Sequence, residues 1–244
     1  LVDYRGRTWT TDDFADDGVI VVAFLGTVCP LAKLYSLRLQ KIADDSRDQG
    51  VRVLAVMSNR HDSLEEIASF AARQKLEFPV MKDAGNRLAD QLGAKRTPEL
   101  FVFDQTRRLR YRGRVDDQYG IGYVRDEPRR HDLKIALDEL LSGQDVSVAQ
   151  TPAAGCIIGR SKEVSSDSQV SYGDQVAAIL TRRCVECHRD GEIAPFSLTD
   201  YDEVAGWSDM IWEVVRDGRM PPWHATGDHA KFANDRTMSE EEKE

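Results

Sequence analysis

Seven consecutive apolar residues, Val19-Ile-Val-Val-Ala-Phe-Leu25, interrupt an otherwise polar N-terminal stretch. An unbroken run of that length predicts a strand buried on both faces. Pro30 suits the first turn of a following helix, and Leu31, Leu34, Leu39 and Ile42 keep helical spacing behind it. A second buried strand is expected over 51–57. A helix follows, capped by Asp62 or Ser63 and running to Lys75, with Leu64, Ile67, Ala68 and Ala71 on one face. The pattern then predicts a short helix over 86–92, strands over 100–103 and 109–114 joined by a polar turn, and a helix over 132–141. Strand, helix, strand, then two strands and a helix implies an open α/β sheet with helices on both faces.

The periodicity fades after Gly143. Residues 143–171 are rich in Ser, Gln, Gly and Ala and are expected to form a linker. Its apolar cluster, Cys156-Ile157-Ile158, is expected to pack against something. From Tyr172 the pattern is helical with no clear strand. Val176, Ile179 and Leu180 share one helix face, and Trp207, Met210, Ile211, Val214 and Val215 share another. Ser239 with Glu242 forms a capping box that opens a last helix, within which the chain stops. The expected organisation is an α/β domain over 1–142, a linker over 143–171 and a small all-α domain over 172–244.

A length of 244 residues accommodates about two ordinary domains. The net charge of −9 argues against nucleic acid or an anionic membrane as the main partner. It suits small molecules or a protein with a basic docking patch. No apolar run approaches the roughly 20 residues that span a bilayer. The chain begins at Leu1 rather than Met, so a mature or trimmed form is expected, with any export signal removed. Four cysteines are too few for a disulfide scaffold at this length, which shifts interest to their placement.

Two of them stand in Cys184-Val-Glu-Cys187-His188. Thiols at this spacing on a helical turn reach the two vinyl groups of one porphyrin edge, and the adjacent His comes up beneath the iron. Half a zinc site and a redox dithiol are the competing readings. Zinc needs two further ligands, for which His224 and His229 are available, and a redox dithiol usually follows a buried strand rather than a helix. Downstream lie Ile193-Ala-Pro-Phe-Ser-Leu198 and Met220-Pro-Pro-Trp223. Together these segments resemble the small bacterial class I cytochrome c domains, over roughly the last third of the chain. The resemblance implies covalent haem c on Cys184 and Cys187, with His188 and Met220 as iron ligands. Core filler is the plain alternative for Met220, and His224 and His229 are its rivals as ligand. The family's terminal helix is cut short here.

The other two cysteines stand alone. Cys29 lies in Phe24-Leu-Gly-Thr27-Val-Cys29-Pro30, after a strand and at a helix N-terminus, where the helix dipole and free amides favour the thiolate. Thr97-Pro98 directly precedes a strand. These features resemble the thioredoxin superfamily, in its redoxin or peroxiredoxin-like branch, over about 1–141. The resemblance implies that Pro98 is cis and that its loop faces Cys29 and offers backbone atoms to substrate. Two departures stand out. Ala32 occupies the place of the second thioredoxin Cys, and Gly26 that of the peroxide-binding Thr or Ser, with Thr27 one place nearer. Arg107, Arg110, Arg112 and Arg114 are candidates for a peroxide-activating cation. Cys156 is either the resolving thiol for Cys29 or a packing thiol, and Asp116 and Asp117 either shape the active-site rim or form a solvated turn.

The expectation is an extracytoplasmic bacterial redox protein of the periplasm or a membrane surface. In it a thiol oxidoreductase domain, acting on a peroxide or disulfide through Cys29, is joined to a haem domain that trades electrons with a redox partner protein. The alternative is an electron-transfer cytochrome whose thioredoxin-like domain is a non-catalytic docking module.

Overall fold

A computed structural model describes residues 1–160, 169–223 and 232–244. The chain divides into two units, Leu1–Arg160 and Ser161–Glu244.

The first unit is built on a six-stranded sheet. Its elements run β1 (Val2–Asp3), β2 (Val19–Leu25), α1 (Pro30–Ser46), β3 (Val51–Met57), α2 (Leu64–Arg73), β4 (Val80–Lys82) and α3 (Arg87–Leu92). Then come β5 (Arg96–Thr97), β6 (Glu99–Phe103), β7 (Leu109–Gly113), β8 (Tyr119–Gly120), β9 (Tyr123–Val124), α4 (Asp132–Leu141) and β10 (Cys156–Ile157). The sheet order is β1-β4-β3-β2-β6-β7. β2, β3 and β4 are parallel, while β6, β7 and β1 join antiparallel. Every residue of β2 is buried, so both faces of the central strand are covered. Ile20, Val22 and Phe24 point to one face, where they pack with Leu54, Val56, Phe101, Ala89 of α3 and Phe14.

The predicted strands and helices of this unit are present within a few residues. β1, β4, β5, β8 and β9 were not foreseen, because two or three residues are too few to show a period. Ser63 caps α2 and closes a capping box with Glu66.

The largest difference lies in 143–160, expected to be linker. This segment belongs to the first unit. β10 pairs antiparallel with β5, Gln150 bridges Arg112 of β7, and Ile158 is wholly buried in the core against Ile20, Val22 and Phe24. Its polar composition hid this, because one apolar side chain and a backbone ladder do the anchoring. Asp116 and Asp117 also depart from a solvated turn. Both are buried: Asp116 accepts from the Tyr35 hydroxyl (2.7 Å) and pairs with Arg38, and Asp117 accepts from the Arg129 and Arg130 amides.

The described residues of the second unit hold helices and no strand. A single π-helical turn, Tyr172–Val176, runs into α5 (Ala177–Arg183), followed by α6 (Tyr201–Arg216) and α7 (Glu240–Lys243). Leu180, Leu198, Val204, Trp207, Val215 and Met238 are buried.

Candidate functional site

Parallel β2 and β3 end at the same edge, and the loops leaving them form the site. Leu25 gives way to Gly26-Thr27-Val28-Cys29, and Cys29 is the N-cap of α1 with Pro30 at its first position. Only a hydrogen fits at Gly26: a Cβ there would lie 2.5 Å from Asn59 Nδ2 and 3.4 Å from Thr97 Oγ1. That crowding explains why no Thr or Ser stands at 26. Thr27 does not take over the role, since its hydroxyl is buried and donates to Asp62 Oδ1 at 2.6 Å. The four candidate arginines are likewise committed. Arg107 binds backbone carbonyls at 14–17, Arg110 pairs with Asp104 and Asp145, Arg112 with Glu99, and Arg114 with Asp132.

Thr97 and Pro98 face Cys29, as expected. The Thr97–Pro98 bond is cis, and the Cys29 thiol donates to the Thr97 carbonyl at 2.9 Å. Thr97 Oγ1 is buried with no conventional hydrogen bond and is turned toward the Cys29 sulfur. Cys156 lies opposite Thr97 in the β10–β5 register, which sets its thiol beside that of Cys29. Both thiols are free. Burial pushes the Cys29 pKa up, yet the Cys156 thiol, the Thr97 hydroxyl and the Ala32 and Cys156 amides together hold it below the ordinary thiol value. Cys156 is driven the other way by its bond to Cys29 and by burial. The two opposed shifts favour the proton on Cys156 rather than on Cys29.

Sequence reasoning missed the polar layer beneath. Asn59 Nδ2 donates to Asp62 Oδ2 (2.9 Å), and Asn59 Oδ1 accepts from the Gly159 amide (3.0 Å). The loop after β3 is thereby tied to both Thr27 and the chain behind Cys156. Burial raises the Asp62 pKa against the pull of His61, Thr27, Asn59 and Lys82. In the sequence, Asp62 reads only as a candidate helix cap, and Asn59 carries no signal of its own.

In the second unit Cys184 ends α5, and its carbonyl accepts from the amides of Cys187 (3.1 Å) and His188 (3.0 Å). The three residues thus occupy one helical turn, with both thiols free. His188 Nδ1 faces the Phe196 carbonyl at 3.1 Å, and because a carbonyl only accepts, Nδ1 carries the proton and Nε2 keeps its lone pair. Burial lowers the His188 pKa, partly opposed by that carbonyl. Phe196 stacks on Trp207 at 4.1 Å and lies 4.7 Å from His188 between ring centroids. Burial pushes the Cys184 thiol up to about 11, the reverse of a redox nucleophile. Met220 is exposed on the turn after α6, its amide bonded to the Val214 carbonyl. Trp223 Nε1 is buried with no hydrogen-bond partner. His224 and His229 lie outside the described residues. Among the described residues no three His, Cys, Asp or Glu side chains converge as a metal site.

Residues 1–112 match the AhpC/TSA family. A thiol-disulfide oxidoreductase, ResA, from Halalkalibacterium halodurans is 26% identical over 105 residues, 43% of this chain; the match spans 58% of that relative's length. Two solved structures superpose with a TM-score of 0.61 each. One is a hypothetical protein from Sinorhizobium meliloti 1021, 34% identical, with 67% of this chain and 91% of that one covered. The other is an uncharacterized conserved protein from Geobacillus kaustophilus, 28% identical, with 68% and 89% covered. The α/β sheet, the Cys29 helix cap and the cis-Pro98 loop agree with these matches: over residues 1–112 the chain carries a redoxin domain that matches the AhpC/TSA family and has the thioredoxin-like fold.

Proposed function

We propose that the first unit is a thiol oxidoreductase whose working pair is Cys29 and Cys156. The observation that carries this reading is the contact between the two thiols across the Thr97 backbone. Cys156, supplied by β10, replaces the second cysteine that Ala32 lacks. In the forward direction the Cys29 thiolate attacks one sulfur of a substrate disulfide, forming a mixed disulfide. The departing thiolate takes a proton from solvent. Cys156 then attacks the Cys29 sulfur, its proton passing to the second substrate thiolate as that group leaves, and a Cys29–Cys156 disulfide remains. Two thiols are oxidised and one disulfide is reduced. The Thr97 hydroxyl holds the Cys29 sulfur as the charge develops.

The docking-module alternative draws on the burial of Cys29, which is 1% exposed. The lowered thiol pKa and the partner thiol favour catalysis instead. The test is to oxidise the reduced protein with one equivalent of a small disulfide and map the product by intact mass and alkylation. Wild type is expected to end with Cys29 and Cys156 protected together, and Cys156→Ser to stop at a mixed disulfide on Cys29. Protection of neither residue would leave the docking reading.

The second unit is proposed to hold haem c through thioethers to Cys184 and Cys187, with His188 and Met220 as iron ligands. The residues fit the group on three counts. Both thiols and the His share one turn, His188 Nε2 is left free, and Trp223 Nε1 is a buried donor lacking an acceptor. Haem supplies one-electron exchange when bound. Phe196 orients His188 through Nδ1, and burial keeps that imidazole neutral for ligation. Thioether attachment and a working dithiol both suit an extracytoplasmic, periplasmic setting with a redox partner protein. After export through a host that matures c-type haem, denatured protein is expected to retain haem, and the Cys184→Ser, Cys187→Ser double variant to lose it. A wild type without covalent haem would sink this part.

A further inference from the structure

β5 is two residues long, and its Thr97 carbonyl accepts from the Cys29 thiol. A free strand edge is what an extended polypeptide pairs with when it docks on a protein. Here the edge is taken. Cys156 stands opposite Thr97 and Ile157 opposite Arg96, antiparallel. Gly155, at φ +135°, lies against the Thr97–Pro98 peptide so closely that a Cβ would come within 2.1 Å of the Thr97 carbonyl oxygen. The strap is pinned along its length. The Gly155 carbonyl accepts from Arg96 Nη1 (2.9 Å), the Ile158 amide donates to the Lys95 carbonyl (2.9 Å), and the Ile158 side chain is wholly buried. Beyond it, Arg160 binds Asp90 (2.9 Å) and the Ala94 carbonyl (2.7 Å).

We infer that the 155–158 strap is the specificity determinant of the dithiol: it fills the backbone edge an extended polypeptide would use and restricts Cys29 to small-molecule disulfides. This rests on the dithiol reading above. The strap sets its own cysteine against Cys29 where a docked polypeptide would set one. A small disulfide needs only a side-chain-sized opening beside the sulfur. A polypeptide needs the β5 edge, and so the whole strap must lift.

The test follows oxidation of the reduced full-length protein by 2-hydroxyethyl disulfide and, separately, by insulin, read as formation of the Cys29–Cys156 disulfide. Wild type is expected to react far faster with the small disulfide. Arg160→Ala and Ile158→Ala each loosen the strap without touching a thiol. Both are expected to raise the insulin rate about tenfold, as local opening becomes easier, while Arg160→Ala, which lies outside the strap, changes the small-disulfide rate by about twofold or less. Arg160→Ala removes a partly exposed side chain that packs outside the core and serves if Ile158→Ala does not fold. An insulin rate unchanged by the folded variants, or a wild type equally fast with both oxidants, overturns the inference and leaves the dithiol standing. If neither oxidant forms the Cys29–Cys156 bond in wild type, the dithiol reading falls and takes the inference with it.

Discussion

Cys29 combines two opposed influences. It is buried, which penalises the thiolate, yet it caps a helix and lies against the Cys156 thiol, the Thr97 hydroxyl and the Ala32 amide, which favour the thiolate. A thiol reacts with alkylating agents only as thiolate, and the thiolate fraction rises as pH passes through the pKa. A lowered pKa therefore moves the whole profile to lower pH. The iodoacetamide rate at Cys29 is expected to reach half its plateau below the ordinary thiol value of about 8.5. Thr97→Val, which removes the hydroxyl alone, is expected to move that midpoint upward. A midpoint at or above the ordinary value would show that burial wins. Gly155 is a second residue whose identity is forced. Gly155→Ala places a methyl onto the Thr97 carbonyl at a backbone angle that favours glycine, at an expected cost of about 1–3 kcal/mol in a denaturant titration. Cys29, Thr97 and Pro98 were legible in the sequence because they belong to one short motif apiece. The pairing of Cys29 with Cys156 was open there, since residues so far apart in sequence meet only through the strand register.

Elements differ in how much of their burial is written in their own pattern. β2 and β3 announce themselves through unbroken apolar runs, and α2 through its cap and its apolar face. β10 announces nothing. Its ladder is made by backbone atoms, and its hold on the core comes from one side chain, Ile158. The boundary drawn after residue 142 was misplaced for that reason. A fragment ending at 142 lacks Ile158 and the Gln150 bridge, whereas one ending at 160 keeps both. Burying a side chain of this size contributes about 1.5–3 kcal/mol. The 1–160 fragment is therefore expected to unfold at a higher denaturant concentration, with an unfolding free energy larger by at least that margin. Equal midpoints would mean that 143–160 is held too loosely to matter. Asn59 and Asp62 teach the same lesson for polar groups. Their role is set by what lies across the loop, Thr27 on one side and Gly159 on the other, and no local spacing encodes it.

At the scale of the whole molecule, the chain joins a two-electron chemistry to a proposed one-electron carrier. Cys29 and Cys156 belong wholly to Leu1–Arg160, and Cys184 and Cys187 wholly to Ser161–Glu244. Substitutions at Cys184 and Cys187 are accordingly expected to leave the Cys29–Cys156 exchange with a small disulfide intact when the electrons come from added thiol. A rate that fell with haem loss under those conditions would tie the two chemistries together. Cys156 has a further consequence through its position in the chain. A bond between it and Cys29 turns roughly 130 residues, most of the first unit, into a closed ring. Ring closure removes freedom from the unfolded chain, so the oxidised unit is expected to outlast the reduced one against denaturant by about 4–5 kcal/mol where the geometry is unstrained. The ring also changes what a protease can do. A single cut in the exposed turn between β6 and β7 divides the reduced first unit into two pieces, but leaves the oxidised one covalently whole on a non-reducing gel.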